Sequence, residues 1–576
     1  MSALERFQKP VFAHRKWYNP EALAFEDGLE DFSPERIEDI VCAGAGLFGN
    51  SPFLTTVLPN GMSATLSFTQ VEQQSAYLAR YLRETLNLAP GTVVAVQSPN
   101  CISYVVCLLA ILRAGLVLSN VNPLYTEAET RRQLRDCRAR VLIGSTLFAE
   151  TIERAVEGTE VQHVISVSLT DFFPAVHRAG LDFLLSKVKR MARPLEIRHV
   201  TMQEALSVGA QYGWPVEQYT SRLPSGRDTV YQYSGGTTGT SKGVRLSEAN
   251  LITNIDQFVA LAPGLKHLRG ETMLLVLPVY HVFGLFASII ALRNGVHVVL
   301  APSPRPLSNL KKAFEKFSPR LFPGVNTLFS KLMEEPWFKA SPPDLMLTIS
   351  GAAALDPQIG QRWQEMTGSE IIEGYGMTEA TTLLAINPPD ARKRPGYAGL
   401  PLPGTEIAIL KEDGSFAAAG EVGEIVARGP QLMSGYLYRP DETNAAFLSG
   451  WMRTGDIGVL DTDGYLKIVD RAKDMVLVGG FNVFPNEVDE VLNTCPGVLE
   501  AASAGIPVGG SEEELHAFVV RRDAALTAAD VMAHCSQNLT GYKRPRKVHF
   551  VDELPKSPIG KILRRELRAM VAKPAA

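Results

Sequence analysis

Apolar and polar positions along this chain follow two rhythms, one of helices and short strands in turn and one of β structure alone. Thr69 and Glu72 stand three apart as a capping box, and Val71, Ser75, Leu78 and Leu82 then share one helical face, which predicts an amphipathic helix. Pro90-Gly91 breaks the chain, and Thr92–Val96 reads as a short strand. The largely apolar run Cys101–Leu118 reaches only the lower end of the ~17–25 residues a membrane span needs and carries Arg113 within it. A buried helix followed by a strand fits that run better.

The same alternation returns in the middle of the chain. Thr229–Tyr233, Thr272–Leu277, Arg320–Phe322 and Leu345–Ile349 read as strands, with helical patterns over Leu251–Leu261 and Pro306–Phe317. Such alternation predicts parallel sheets with helices on their faces. The segments just after the strands are informative: Tyr233 runs into SGGTTGTSKG, Leu277 into PVYHVFG, Ile349 into SGAAAL, and Glu370–Ile372 into EGYGMTE. Ligands of open α/β sheets bind beyond the carboxyl ends of strands, so these loops predict one shared site.

From about Val422 the pattern changes to short alternating runs with Gly and Asp turns, as in GEIVARG and GYLKIVDRAKDMVLVGG, which predicts antiparallel β structure. The last hundred or so residues carry a compact α+β pattern ending in a basic helix. The expected fold is therefore α/β: a large N-terminal domain, residues 1–470, of parallel α/β sheets plus a β-rich subdomain, and a small mobile α+β domain, residues 471–576, with the boundary in the Asp470–Asp474 segment.

Length and composition agree with this division. At 576 residues the chain exceeds one ordinary core, and with 45% hydrophobic and 20% charged residues it has the composition of a globular protein. A net charge of −4 leaves no excess of cations for nucleic-acid phosphates, so nucleic acid is not an expected partner. The six cysteines show no CxxC pair, and free thiols in a reducing cytoplasm are the expectation. The stretch MSALERFQKPVFAHRKWYNP has charges where a secretory signal would be apolar, so no export is expected.

The segment Tyr233–Gly243 carries the strongest chemistry. Gly235, Gly236 and Gly239 let backbone approach a polyphosphate, hydroxyls of Ser234, Thr237, Thr238 and Thr240 can donate to it, and Lys242 adds positive charge. It is a phosphate loop but not a Walker A motif, which needs Gly where Ser241 stands.

The phosphate loop, followed in order by SGAAAL, EGYGMTE, WMRTGD, DRAKD and PKSPIGKILRREL, resembles the adenylate-forming superfamily of acyl-CoA synthetases, peptide-synthetase adenylation domains and luciferases. The resemblance covers most of the chain from about residue 50. It implies that ATP, Mg²⁺ and coenzyme A are used. It also implies that the Glu373–Glu379 motif, with Gly374, Tyr375 and Gly376, faces nucleotide, that Thr378 bonds the α-phosphate, and that Glu379 holds Mg²⁺, in keeping with the preference of that ion for hard oxygen ligands. Gly351, Ala352 and Ala353 would line the adenine, while Asp456 and Arg471 would hold the ribose. Lys561 resembles the adenylation lysine that neutralises charge at the carboxylate and α-phosphate. Lys473 matches the hinge position of the small domain, and Gly479-Gly480 the strand lining the pantetheine tunnel. His281 resembles a histidine at the acyl pocket, where it would position the carboxylate. The chain departs from the family at Ser241, where Pro is usual, and at Gly479, where several relatives carry Lys.

NVNPLYT (Asn120–Thr126), YSGGTTG, FPGVNTLF (Phe322–Phe329) and the apolar-basic stretch FLLSKVKRMAR (Phe183–Arg193) resemble long-chain fatty acyl-CoA synthetases in particular. That implies a medium- to long-chain fatty acid as substrate, with Gly324, Val325, Gly351 and Gly374 as small lining residues of its pocket. Phe183–Arg193 suits either a basic amphipathic helix touching the inner face of a membrane or an ordinary solvated helix. The reading is compatible with a cytoplasmic protein and with a homodimer. Three alternatives stay open: a ligase for aryl or other acids, an enzyme that loads an acyl carrier protein, and a catalytically silent nucleotide or fatty-acid sensor.

Overall fold

A computed structural model describes residues 35–234, 241–261, 268–352, 355–390, 392–471, 474–478, 481–509, 512–557 and 560–572. Two sheets of mostly parallel strands form the body. In the first, nine strands run in the order Leu400–Pro401, Ala385–Ile386, Ile371–Tyr375, Leu347–Ser350, Leu321–Gly324, Thr272–Leu275, His297–Leu300, Pro52–Val57 and Ser63–Ser67, all parallel from the third to the eighth. The second has eight strands, whose parallel part runs from Asp228–Ser234 through Val117–Asn120, Val93–Gln97 and Val141–Ser145 to His163–Val167 and Val200–Thr201.

Cys101–Leu118 forms the expected buried helix, Ile102–Arg113, followed by the strand Val117–Asn120. Every residue of that helix is buried, Arg113 included. Its guanidinium donates to both oxygens of Glu38 at 2.6 and 2.8 Å and to Glu72 at 2.8 Å. Pairing is what makes the buried charge tolerable, and loss of one partner from such a pair costs about 3–5 kcal/mol. The preceding helix, Phe68–Arg80, begins one residue before the expected cap: Ser67 and Gln70 form the capping box, with Ser67 Oγ accepting from Gln70 N at 3.2 Å. Thr69 lies inside the first turn, and its own N–H, which a Thr69–Glu72 box would cap, is bound to the Gly49 carbonyl at 3.0 Å.

A five-stranded antiparallel sheet over residues 406–471 bears out the change to antiparallel structure but starts it earlier than Val422, with the strand Glu406–Leu410. Beyond it, a two-stranded ribbon, Val476–Val478 with Phe481–Val483, and a three-stranded sheet of Val498–Gly509, Glu512–Arg521 and Lys547–Phe550 pack with helices over a separate apolar cluster around Val488, Leu492, Ala517 and Val531. The fold is thus mixed α/β with large parallel sheets followed by a smaller α+β unit. All six cysteines are free thiols. No described helix is long and apolar enough to cross a membrane.

Candidate active site

The carboxyl ends of the first sheet's strands open into a cavity of about 1200 Å³. One wall is the helix Val282–Arg293, whose residues Phe283, Phe286, Ala287, Ile290 and Ala291 line the cavity at spacings of three and four. The cavity enters beside Ser350 and Gly351, at the end of one strand, and extends to Met273 and Val296, where two others begin. It therefore runs the depth of the sheet. Between Phe283 and Ala291 the helix rises about 12 Å.

The open end is ionic. Ser234 and Lys242, from the two ends of the phosphate loop, line it together with Thr378, Glu379, Arg471 and Lys561. Lys242 is ion-paired with Glu442, and its ammonium lies 5.1 Å from the centre of the Tyr436 ring. The Tyr436 hydroxyl in turn donates to Glu379 Oε1 at 3.0 Å, while the Glu379 carbonyl accepts from Met433 N at 2.8 Å and fixes the turn Thr378–Ala380. Asp456, 6% exposed, sits just behind the wall, where its carboxylate accepts from Tyr375 Oη at 2.8 Å and pairs with Arg471 at 3.2 Å.

Lys561 reaches the same end from the last loop of the chain. The loop is closed by the Ser557 N–H on the Lys561 carbonyl at 2.8 Å and by the Lys561 N–H on Ser557 Oγ at 3.1 Å. Gly560 has φ +77°, and a Cβ there would meet Thr327 Oγ1 at 2.6 Å, so glycine lets the loop lie directly against the segment Val325–Thr327 of the large body. Burial, and then the neighbouring Arg471, pull the Lys561 ammonium down to about 7, against the opposing pull of Asp456 and Asp474.

His281, Ser350, Gly351, Ala352, Gly374, Gly376 and Val325 also line the cavity. Burial pushes the His281 ring down to about 4, so it is neutral near pH 7. Its Nε2 is buried and has no hydrogen-bond partner among the described residues, and neither has Ser350 Oγ. Unpaired buried polar atoms in a cavity wall mark where a ligand can bond.

The structure does not bring every expected residue to the cavity. Glu373 and Tyr375 alternate with Gly374 and Gly376 along the chain, and neither side chain lines the wall, as the period of two in an extended strand requires. The Glu373 carboxylate instead accepts from Leu355 N at 2.6 Å, and burial pushes it up to about 7. Gly324 lies behind its neighbour Val325, packed on the Phe329 ring. Gly235, Gly236, Thr237, Thr238, Gly239, Thr240, Ala353, Lys473, Gly479 and Gly480 fall outside the described residues.

Sequence reasoning passed over Tyr436 and Glu442. Glu442 lies in the first turn of the helix Pro440–Ala446, where an acid is expected as a helix-dipole partner whatever else it does.

Comparison with known proteins decides the family. The AMP-binding enzyme family matches residues 48–437, and its C-terminal domain family matches 487–561. The chain belongs to the AMP-binding enzymes. Among curated members, the long-chain-fatty-acid–CoA ligase of Salmonella typhimurium is 39% identical over 510 residues, covering 88% of this chain and 90% of that one. The protein of the same name from Haemophilus influenzae is 41% identical over 513 residues, with the same coverage. Among solved AMP-binding folds, the anthranilate CoA ligase AuaEII in complex with anthranoyl-AMP is similar with a TM-score of 0.80 and 25% identity, over 93% of this chain and 97% of that one. ATP-bound MatB from Rhodopseudomonas palustris is similar with a TM-score of 0.78 and 26% identity, over 92% and 98%.

Proposed function

We propose that the chain is an ATP-dependent fatty acid:CoA ligase acting on medium- to long-chain acids. The observation that carries this reading is the continuity of the cavity, ionic at its mouth and apolar through the depth of the sheet. An aryl acid would leave most of the apolar part unfilled, and a nucleotide sensor would have no use for it. The names of the similar ligases point the same way.

The donor set at the mouth fits a magnesium-bound triphosphate: two ammonium groups and two hydroxyls for phosphate oxygens, and a carboxylate for the metal. In the first half-reaction a carboxylate oxygen bonds the α-phosphorus as the bond to pyrophosphate breaks, giving acyl-AMP. Thr378 and Lys561 hold the charge that develops on the α-phosphate, the neutral His281 donates to the carboxylate, and Gly351, Ala352, Gly374 and Gly376 leave space for the adenylate. Glu379 would hold Mg²⁺, which supplies further charge neutralisation when bound. Arg471 at the mouth, with Asp456 paired to it from behind the wall, would hold the ribose. In the second half-reaction the thiol of coenzyme A adds to the acyl carbonyl and AMP leaves. For this step residues 471–576 turn about Lys473, withdrawing Lys561 and bringing Gly479-Gly480 to the thiol's path.

The segment Phe183–Arg193 extends the reading to the source of the acid. Val176, Phe183, Val188 and Met191 are exposed apolar residues on the helix Ala175–Phe183 and the turns after it, with Lys187, Lys189 and Arg190 exposed among them. A basic amphipathic surface of this kind docks on anionic bilayers, where fatty acids reside.

Acid-dependent exchange of pyrophosphate into ATP, followed by CoA ligation across acids from acetate to stearate with benzoate included, tests the function. Exchange that grows with chain length is expected. Exchange with benzoate alone, or transfer to a carrier protein but not to CoA, would overturn the assignment. Sedimentation with phosphatidylglycerol but not phosphatidylcholine vesicles, lost in Lys187→Glu/Lys189→Glu, tests the docking surface.

A further inference from the structure

The loop that delivers His281 to the cavity is held from the other sheet. Asn100, 3% exposed, lies beyond the carboxyl end of the strand Val93–Gln97 in the second sheet. Its Nδ2 donates to the Leu277 carbonyl at 2.8 Å and to the Leu275 carbonyl at 3.2 Å, and its Oδ1 accepts from Val279 N at 2.9 Å. One side chain thus fixes three backbone groups between the end of the strand Thr272–Leu275 and the start of the helix Val282–Arg293.

Gln232 grips the same loop one step nearer the imidazole, its Nε2 donating to the Tyr280 carbonyl at 2.9 Å. It is held in turn by Asn120 Nδ2, which donates to Gln232 Oε1 at 2.8 Å, and Asn120 Oδ1 accepts from the Tyr104 hydroxyl at 2.6 Å. Gln232 is also two residues before Ser234, where the phosphate loop begins. The loop is therefore tied to the sheet whose strand ends at Ser234, and the ring at its end presents to the cavity an Nε2 with no partner among the described residues.

We infer that Asn100 is a positioning residue for adenylation: by clamping Leu275–Val279 to the second sheet it aims the imidazole of His281 at the substrate carboxylate. The inference rests on the ligase function proposed for the site. Gln232 serves the same end from the Tyr280 side. A side chain that merely stabilised the fold would affect binding of both substrates and would act whether or not the imidazole were present.

The test is a double-mutant cycle on acid-dependent pyrophosphate exchange, with ATP binding to each variant measured by calorimetry without acid. Asn100→Leu is expected to lower kcat/KM for the fatty acid about tenfold while the Kd for ATP changes less than about twofold. In a His281→Ala background the same substitution is expected to add nothing. Losses that multiply in the double variant, an equal loss of ATP affinity, or a His281→Ala variant as active as the parent would each overturn the inference. If Asn100→Leu does not fold, Gln232→Met closes the same cycle under the same criteria. Absence of exchange in the unsubstituted protein would instead refute the ligase function itself.

Discussion

The two ends of the cavity are built in opposite ways. The ionic mouth is assembled from separate chain segments, Ser234 and Lys242, the Thr378–Ala380 turn, Tyr436 to Glu442, Arg471 and Lys561, and Lys242, Glu379 and Arg471 are held by Glu442, Tyr436 and Asp456. The apolar end rests on one helix face and the flanks of strands, with no ion pair among Phe286, Ala287, Ile290, Met273 and Val296. A ligand that bonds Lys242, Glu379 or Arg471 must exchange partners with a group already paired, whereas an alkyl chain only replaces solvent. Chemistry and its pH dependence should therefore map to the mouth, and selectivity among acids to the depth.

The largest expected effect breaks the mouth alone. Lys561→Ala should reduce pyrophosphate exchange by about 10²–10³-fold or more, if its ammonium has the proposed role of stabilising the transition state. Thioester formation from supplied acyl-AMP and CoA should stay within a few fold. Equal loss of both half-reactions would show that the lysine serves both poses and would refute withdrawal of the lid.

Next comes the depth alone. Ala287→Trp fills the middle of the apolar end and should lower kcat/KM for long-chain acids by about two orders of magnitude, leaving short acids and ATP affinity near their original values. A uniform loss across chain lengths would place the acyl chain elsewhere.

A third prediction concerns pH. Lys561 is pulled down to about 7, so in the free enzyme its charged form is present below that value and lost above it. The kcat/KM for exchange should fall as pH rises through about 7, by up to tenfold per unit, whereas kcat should hold to higher pH because bound phosphate favours the ammonium. In Lys561→Ala the residual rate should lack this limb.

The smallest effect sharpens the idea of exchanged partners. Lys242 and Glu442 are both partly exposed, and such pairs are worth about 0.2–1 kcal/mol. Glu442→Gln should therefore tighten ATP binding by about two- to fivefold in direct titration. Weaker binding would mean that Glu442 orients Lys242 for the phosphates.

Legibility in the sequence divides along the same contrast. The mouth is written as local strings, because phosphate and metal contacts need particular residue types at fixed spacing, and Ser234, Lys242, Thr378 and Glu379 do meet at one wall. Within such a string, the face on which a residue falls is less readable: Glu373 turns away on its strand and binds Leu355 instead. Lys561 was identifiable only by resemblance, since a lysine before a basic helix has an ordinary surface explanation. For the acyl pocket, resemblance picked out Val325, Gly351 and Gly374, which line the cavity, but not its long helical wall. The helix Val282–Arg293 is apolar on nearly every side, so periodicity cannot single out the stripe from Phe283 to Ala291 that faces the cavity. The early cap shows a milder limit. Ser67–Gln70 and Thr69–Glu72 both fit the capping-box spacing, and the contacts of the Phe68 and Thr69 N–H groups with the Ser51 and Gly49 carbonyls, just before the strand Pro52–Val57, favour the first.

The claim beneath all of this is that adenylate and alkyl chain occupy a single continuous space. Titration with a series of non-hydrolysable alkyl-adenylate analogues tests it most directly. The expected result is one analogue bound per chain, exclusion of both ATP and fatty acid by that analogue, and affinity that rises with alkyl length until the floor at Met273 and Val296 is reached. Simultaneous binding of analogue and fatty acid, or affinity indifferent to alkyl length, would contradict it.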